Sequence, residues 1–219
     1  MTYGRVPTTS AVYFCFGHSL SKKGRNLVIL VTYFDPFGGD TVNVSQEVAT
    51  RLPQRDYIVS AELKTSKRDV EQQIPELIAK VRPDAILGLG QAEGRVVPTL
   101  ERVGINLIDS RIEDNRHEQY HDELVVPDGP PAYFSTLPVR QIVETVHQHG
   151  LPIELSLSAG AFMCNQALYL MRHSARDIPA GFLHLPLLPS QAASRRHVAS
   201  MGLTDQISVV SIVLDTIWL

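Results

Sequence analysis

From residue 26 onward, short apolar runs of strand length alternate with longer amphipathic ones, and no other feature restricts the fold of this chain as much. A strand buried on both faces reads as a near-continuous apolar run, whereas a stretch with apolar residues every three to four positions reads as a helix with one covered face. Runs at 27–32, 57–63, 85–89, 103–108, 153–157 and 182–187 have the first character; stretches at 45–52, 69–81, 139–149 and 165–174 have the second. That order predicts an α/β domain whose helices cover both faces of a sheet. The closing stretch, "TDQISVVSIVLDTIWL", predicts a docking helix with Thr204 as its N-cap and Ile207, Val210, Leu214 and Ile217 along one face.

The composition fits one globular domain: 219 residues, 44% hydrophobic and 20% charged, are enough to bury a substantial core. A formal charge of -3 without a basic stripe gives no reason to expect nucleic acid as a partner. Two cysteines, Cys15 and Cys164, do not make the disulfide framework of a small secreted domain, so a reducing, cytoplasmic setting is expected. The apolar "AVYFCFG" near the N-terminus has only Arg5 ahead of it, lacks a small-x-small cleavage pattern, and is far shorter than a membrane span. Residues 1–25 are therefore expected to be an appendage to a single domain at 26–219, with no membrane partner.

Three segments carry chemical interest. "TYFDPFGGDTVN" follows the first strand, and its Phe34 and Phe37 either fold back onto the body or line a pocket. "GLGQAEGR" follows the third, with glycines that could bring N–H groups near an anion but with neither the P-loop lysine nor the full dinucleotide spacing. "SLSAGAFMCNQALYLMRH" sets Cys164 where an extended run gives way to a helical one. Aligned N–H groups in the first turn of a helix favour thiolate over thiol. The same helix puts Cys164, Leu168 and Met171 on one stripe, as a buried structural cysteine would also require.

A thiol nucleophile needs a base, and the base an orienting partner. His184 stands inside the apolar run "GFLHLPLLP", where its ring nitrogens serve either core hydrogen bonds or catalysis. Glu101 precedes an apolar strand, a place where an acid is more often a solvated strand end than a catalytic carboxylate. Residue type and position leave both readings open in each case.

Their order and wording, however, resemble a known family. "VTYFDPFGG", "GLGQAEGR", "ERVGINLIDSRIEDN", "YFSTLPVRQIV", "SAGAFMCN" and "GFLHLPLLPSQ" stand in the order of the corresponding motifs of pyroglutamyl peptidase I, the pyrrolidone-carboxylate peptidases, across most of 27–191. The resemblance implies a single three-layer α/β/α sandwich with a central twisted mixed sheet. It further implies a cysteine peptidase removing N-terminal pyroglutamate from peptides, with Cys164 as nucleophile, His184 as base and acid, and Glu101 orienting the histidine. Arg111 is expected near the oxyanion, Phe34 and Phe37 around the pyrrolidone ring, and Gln91 along the pocket. The resemblance also implies a homo-oligomer, dimer or tetramer, and the chemistry requires no cofactor. No metal is expected, since the histidines lack HExxH spacing and the cysteines are not paired for zinc.

Tyr33, Val44, Glu93 and Glu113 depart from the family pattern, and Tyr33 and Glu93 are expected to flank the pocket, where they bear on ring affinity and specificity. Two alternatives remain: a cysteine hydrolase of the same fold acting on another small cyclic or acyl amide, and a ligand-binding relative in which the triad is present but not assembled.

Overall fold

A computed structural model describes residues 27–218; Cys15 and the expected appendage at 1–25 lie outside the described residues. In chain order the elements are β1 (Ile29–Phe34), α1 (Val44–Ala49), β2 (Ile58–Leu63), α2 (Lys67–Val81), β3 (Ala85–Gln91), β4 (Thr99–Glu101), β5 (Val103–Ile105) and β6 (Ala132–Phe134). Then come α3 (Val139–Gln148), β7 (Glu154–Ser156), α4 (Met163–Ser174), β8 (Ala180–Leu185), α5 (Pro189–Ala192) and α6 (Leu203–Trp218).

Six strands form one mixed sheet in the order β2-β1-β3-β8-β4-β7. The first four run parallel; β4 is antiparallel to β8, and β7 is parallel to β4. The small antiparallel pair β5-β6 stands apart. Because side chains alternate across a strand, each central strand divides its residues between two cores. Ile29 and Val31 of β1, Leu87 and Leu89 of β3, and Leu183 and Leu185 of β8 face one core, which α1, α3 and α6 cover. Leu30 and Phe34, Ile86, and Phe182 face the other, with Ile74 of α2 and Leu168 and Met171 of α4. This is the expected three-layer sandwich.

Local chemistry accounts for the helix starts. The Asn43 side chain accepts from Ser45 N at 3.0 Å to cap α1, and the Ser66 hydroxyl accepts from Asp69 N at 3.3 Å to cap α2. The last helix begins at Leu203, so Thr204 lies inside it and is not the cap. The apolar run expected as one strand at 103–108 is shorter: β5 covers its start and Ile108 makes only an isolated bridge to Glu123, while Glu101, expected just ahead of the strand, ends a separate strand, β4, with a break at Arg102. Partner choice explains the break, since β4 pairs with β8 and β7, whereas β5 pairs with β6 across the sequence gap.

Candidate active site

Gly90, His184 and Glu101 meet on the sheet face that α4 covers. The register sets His184 beside Gly90 on one side and Thr99 on the other, while Glu101 lies opposite Phe182, two residues along. That diagonal brings Glu101 Oε1 to 2.8 Å from His184 Nδ1. A carboxylate only accepts, so the Nδ1–H donates, and Nε2 is the ring nitrogen left for the Cys164 sulfur, which also hydrogen-bonds the ring. Both partners are buried, Glu101 completely and His184 at 5% exposure.

Cys164 stands in the first turn of α4, partly exposed and free of any disulfide. The glycines of "GLGQ" make its place. They lie within β3 rather than in an anion-binding loop: a Cβ on Gly90 would come 2.7 Å from Cys164 Sγ, and one on Gly88 would come 2.4 Å from the Phe182 ring. Phe182 in turn meets His184 edge-on at a centroid distance of 5.1 Å. Asn165 fixes the helix start: its Oδ1 accepts from Ile105 N at 2.8 Å, and its Nδ2 donates to the carbonyls of Ile105 and Leu107, each at 2.9 Å. The α4 N-terminus has no side-chain cap, and among the described residues its first N–H groups, at Met163, Cys164 and Asn165, have no acceptor.

Burial works against a charge on the His184 ring, but the neighbouring sulfur and the Glu101 carboxylate outweigh it and raise the ring pKa to about 9. Apposed sulfur, imidazole and carboxylate therefore favour a protonated ring at neutral pH.

The remaining expected residues divide. Phe37 is half-buried, and its ring lies 6.1 Å from that of Phe162, the N-cap residue of α4. Phe34 is only 2% exposed and packs in the core with Leu63 and Ile74, so Phe37 presents the accessible aromatic face. Arg111 is exposed and has no hydrogen-bond or charge partner among the described residues; the adjacent Ile112 lies over the turn at Gly38. Asn115 donates to the Pro36 carbonyl at 2.8 Å and so braces the Arg111 segment to the Phe37 loop. Gln91 has its amide occupied: Oε1 accepts from Val44 N at 3.0 Å and from Gln191 Nε2 at 2.8 Å, and Nε2 donates to Asp40 at 3.1 Å. Its side chain shapes the Asp40 loop from behind.

Tyr33 does not flank this site. It packs into the opposite core, because its neighbour Phe34 takes the α4 side. Glu93 is held by Arg195 at 2.7 Å, and the same guanidinium pairs with Asp40, tying the two loops.

Sequence reasoning passed over Arg95. Its Nη2 lies 3.3 Å from Glu101 Oε1, 3.0 Å from Ser156 Oγ and 3.0 Å from the Ser158 carbonyl. The available signal was the arginine that closes "GQAEGR". Among the described residues, no group of three or more His, Cys, Asp or Glu could hold a metal ion, and no helix is long and apolar enough to cross a membrane.

A partly exposed thiol at an uncapped helix start, next to a buried His–Glu pair on an α/β/α scaffold, is the arrangement that the class of cysteine hydrolases requires. Comparison with known proteins gives the family. Residues 27–218 match the family model for pyroglutamyl peptidase, and the chain belongs to that family. It is 42% identical over 196 residues to a pyrrolidone-carboxylate peptidase of Streptococcus suis, covering 86% of this chain and 91% of that one. The structure is similar to that of Bacillus amyloliquefaciens pyroglutamyl peptidase I, with a TM-score of 0.82 and 37% identity over 87% of this chain and 96% of that one. The pyrrolidone carboxyl peptidase of Thermus thermophilus superposes with a TM-score of 0.81 and 36% identity, covering 86% and 100% of the two chains.

Proposed function

We propose that this protein is a cysteine peptidase that removes pyroglutamate from the N-terminus of peptides, with Cys164 as nucleophile, His184 as acid and base, and Glu101 orienting the histidine. The observation that carries the reading is the buried 2.8 Å contact between His184 Nδ1 and Glu101, with the sulfur of Cys164 on the same ring.

Cys164 Sγ attacks the carbonyl carbon joining pyroglutamate to the next residue. The carbonyl oxygen becomes an oxyanion, and the unpartnered N–H groups at the start of α4 lie where a developing negative charge is stabilised. Arg111, with its guanidinium unpaired among the described residues, supplies a positive charge at the rim. As the C–N bond breaks, the imidazolium of His184 gives its proton to the leaving amine. Neutral His184 then takes a proton from water, which attacks the thioester and releases pyroglutamate and the thiolate.

A lactam has no α-amine for an ordinary aminopeptidase to hold, so recognition falls to an apolar surface with a few backbone partners. Phe37, next to Phe162, supports that role, and Phe34 and Gln91 shape the wall behind it. The reading includes a reducing cytoplasmic setting, which keeps the thiol free, and a homo-oligomer of dimer or tetramer size, measurable by light scattering. The test is amine release from a chromogenic pyroglutamyl amide against the matching prolyl amide, with and without iodoacetamide. Selective, alkylation-sensitive release is expected; equal release from both amides would overturn lactam recognition.

A further inference from the structure

Glu101 receives all its hydrogen bonds on one oxygen. Oε1 accepts from His184 at 2.8 Å, from Arg95 at 3.3 Å and from the Thr99 hydroxyl at 3.4 Å. Oε2 is buried and has no partner among the described residues. A carboxylate held from one side can rotate unless several donors fix it, and of its two long contacts Arg95 carries a charge whereas the Thr99 hydroxyl does not. Apart from the histidine, Arg95 is its only charge partner among the described residues.

The same Arg95 nitrogen reaches the segment that delivers the nucleophile. Ser156, whose hydroxyl it contacts at 3.0 Å, is the cross-strand partner of Glu101 on β7. Ser158, whose carbonyl it contacts at 3.0 Å, lies in the turn leading into α4. That turn is hydrogen-bonded within itself: Ser158 N donates to Ser156 Oγ at 3.2 Å, and Gly160 N donates to Ser158 Oγ at 3.2 Å. Gly160 has a φ of +78°, a conformation that suits glycine. One guanidinium nitrogen thus spans the orienting carboxylate and the entry to the cysteine's helix, its two N–H bonds shared among three acceptors.

We infer that Arg95 is a positioning residue: it fixes the Glu101 carboxylate against His184 and, through Ser156 and Ser158, sets that pair in register with Cys164. The inference rests on the thiol mechanism above. Its demand on Arg95 is greatest in the acyl-enzyme, when His184 has given up its proton and Arg95 is the remaining positive partner of a buried carboxylate.

The experiment compares Arg95→Gln with the wild type in kcat, KM and the pH dependence of kcat/KM on a pyroglutamyl amide, with Cys164→Ala measured alongside. Expected are a fall in kcat of roughly 10- to 100-fold, the scale of a disturbed acid–base group, a nearly unchanged KM, and a basic limb moved to lower pH as Glu101 loses its aim at the ring. A basic limb moved to higher pH would mean that Arg95 is only a repelling charge near the imidazolium, and an unmoved limb with a lower melting temperature would mean a structural brace; either overturns the proposal. Should Arg95→Gln fail to fold, Arg95→Lys keeps the charge on a shorter side chain that does not reach all three acceptors and is expected to move the limb in the same direction by less; an unmoved limb there overturns the proposal equally. Activity in Cys164→Ala would sink the thiol mechanism itself, whereas an inactive Cys164→Ala beside a fully active Arg95→Gln would sink the positioning role alone.

Discussion

Exchanging sulfur for oxygen at Cys164 leaves nearly the same shape but a hydroxyl far harder to deprotonate, at a site where imidazole and carboxylate are arranged around a thiol. Cys164→Ser is expected to lower kcat/KM by about 10³-fold or more while retaining the fold and the affinity for a pyroglutamyl peptide, measured by calorimetry. The histidine makes a separate prediction. Its pKa is raised to about 9, so the ring carries the proton for the leaving amine below that pH and loses it above. On that basis kcat/KM should fall as pH rises through about 9. Glu101→Gln keeps a hydrogen-bond acceptor but removes the charge that favours the imidazolium, so its basic limb should lie at lower pH. A limb that stays in place in Glu101→Gln would show that the carboxylate does not set the ring's charge.

At the scale of elements, the site depends on how closely α4 approaches β3 and β5. Asn165 is fully buried, and its amide satisfies three backbone groups, two on Ile105 at the end of β5 and one on Leu107 just after it. Asn165→Ala leaves those groups unpaired and should cost about 1–3 kcal/mol or more of stability, seen as a lower urea midpoint, together with reduced activity from a displaced thiol. Gly90→Ala pushes a methyl to 2.7 Å from the sulfur and 2.8 Å from the Phe182 ring, so both activity and thermal stability should drop. Gly88→Ala meets Phe182 and Met171 but not the sulfur; it should lower stability while iodoacetamide still alkylates Cys164 at the wild-type rate.

The same closeness marks what the sequence could and could not reveal. The layers were legible because β1, β3 and β8 are nearly continuous apolar runs and the helices carry one covered face. The division between β4 and β5 was not, because "TLERVGIN" is one extended run locally and only its distant partners β6, β7 and β8 separate it. Gln91 was placed along the pocket by motif wording alone, which says nothing of what its amide would meet. Its actual partners are 47 and 100 residues away in the chain, at Val44 and Gln191. Arg95 escaped for the same reason, since its contact to Ser158 spans 63 positions. Cys164, His184 and Glu101 were singled out through motif wording; residue type alone also fitted a buried structural cysteine, a satisfied core histidine and a solvated strand end.

For the molecule as a whole, the sheet separates stability from chemistry. The core under α1, α3 and α6 contains none of the proposed triad, whereas the core under α2 and α4 includes Cys164 at its edge and packs Phe182 against His184. Substitutions on either side of a sheet that share no partners act nearly independently. Leu214, fully buried on α6, belongs to the first core. Leu214→Ala should cost about 2–5 kcal/mol and lower the melting temperature by roughly 5–20 °C for a chain of this size, with kcat/KM unchanged well below the transition. Leu168, equally buried on α4 one turn beyond Cys164, belongs to the second. Leu168→Ala should lower the melting temperature by a similar amount but also reduce kcat, because the cavity lies under the helix that aims the thiol. If Leu214→Ala lost activity in proportion to Leu168→Ala at a temperature where both are folded, the two faces would be coupled through the sheet, and the site would depend on the whole sandwich rather than on the face that holds it.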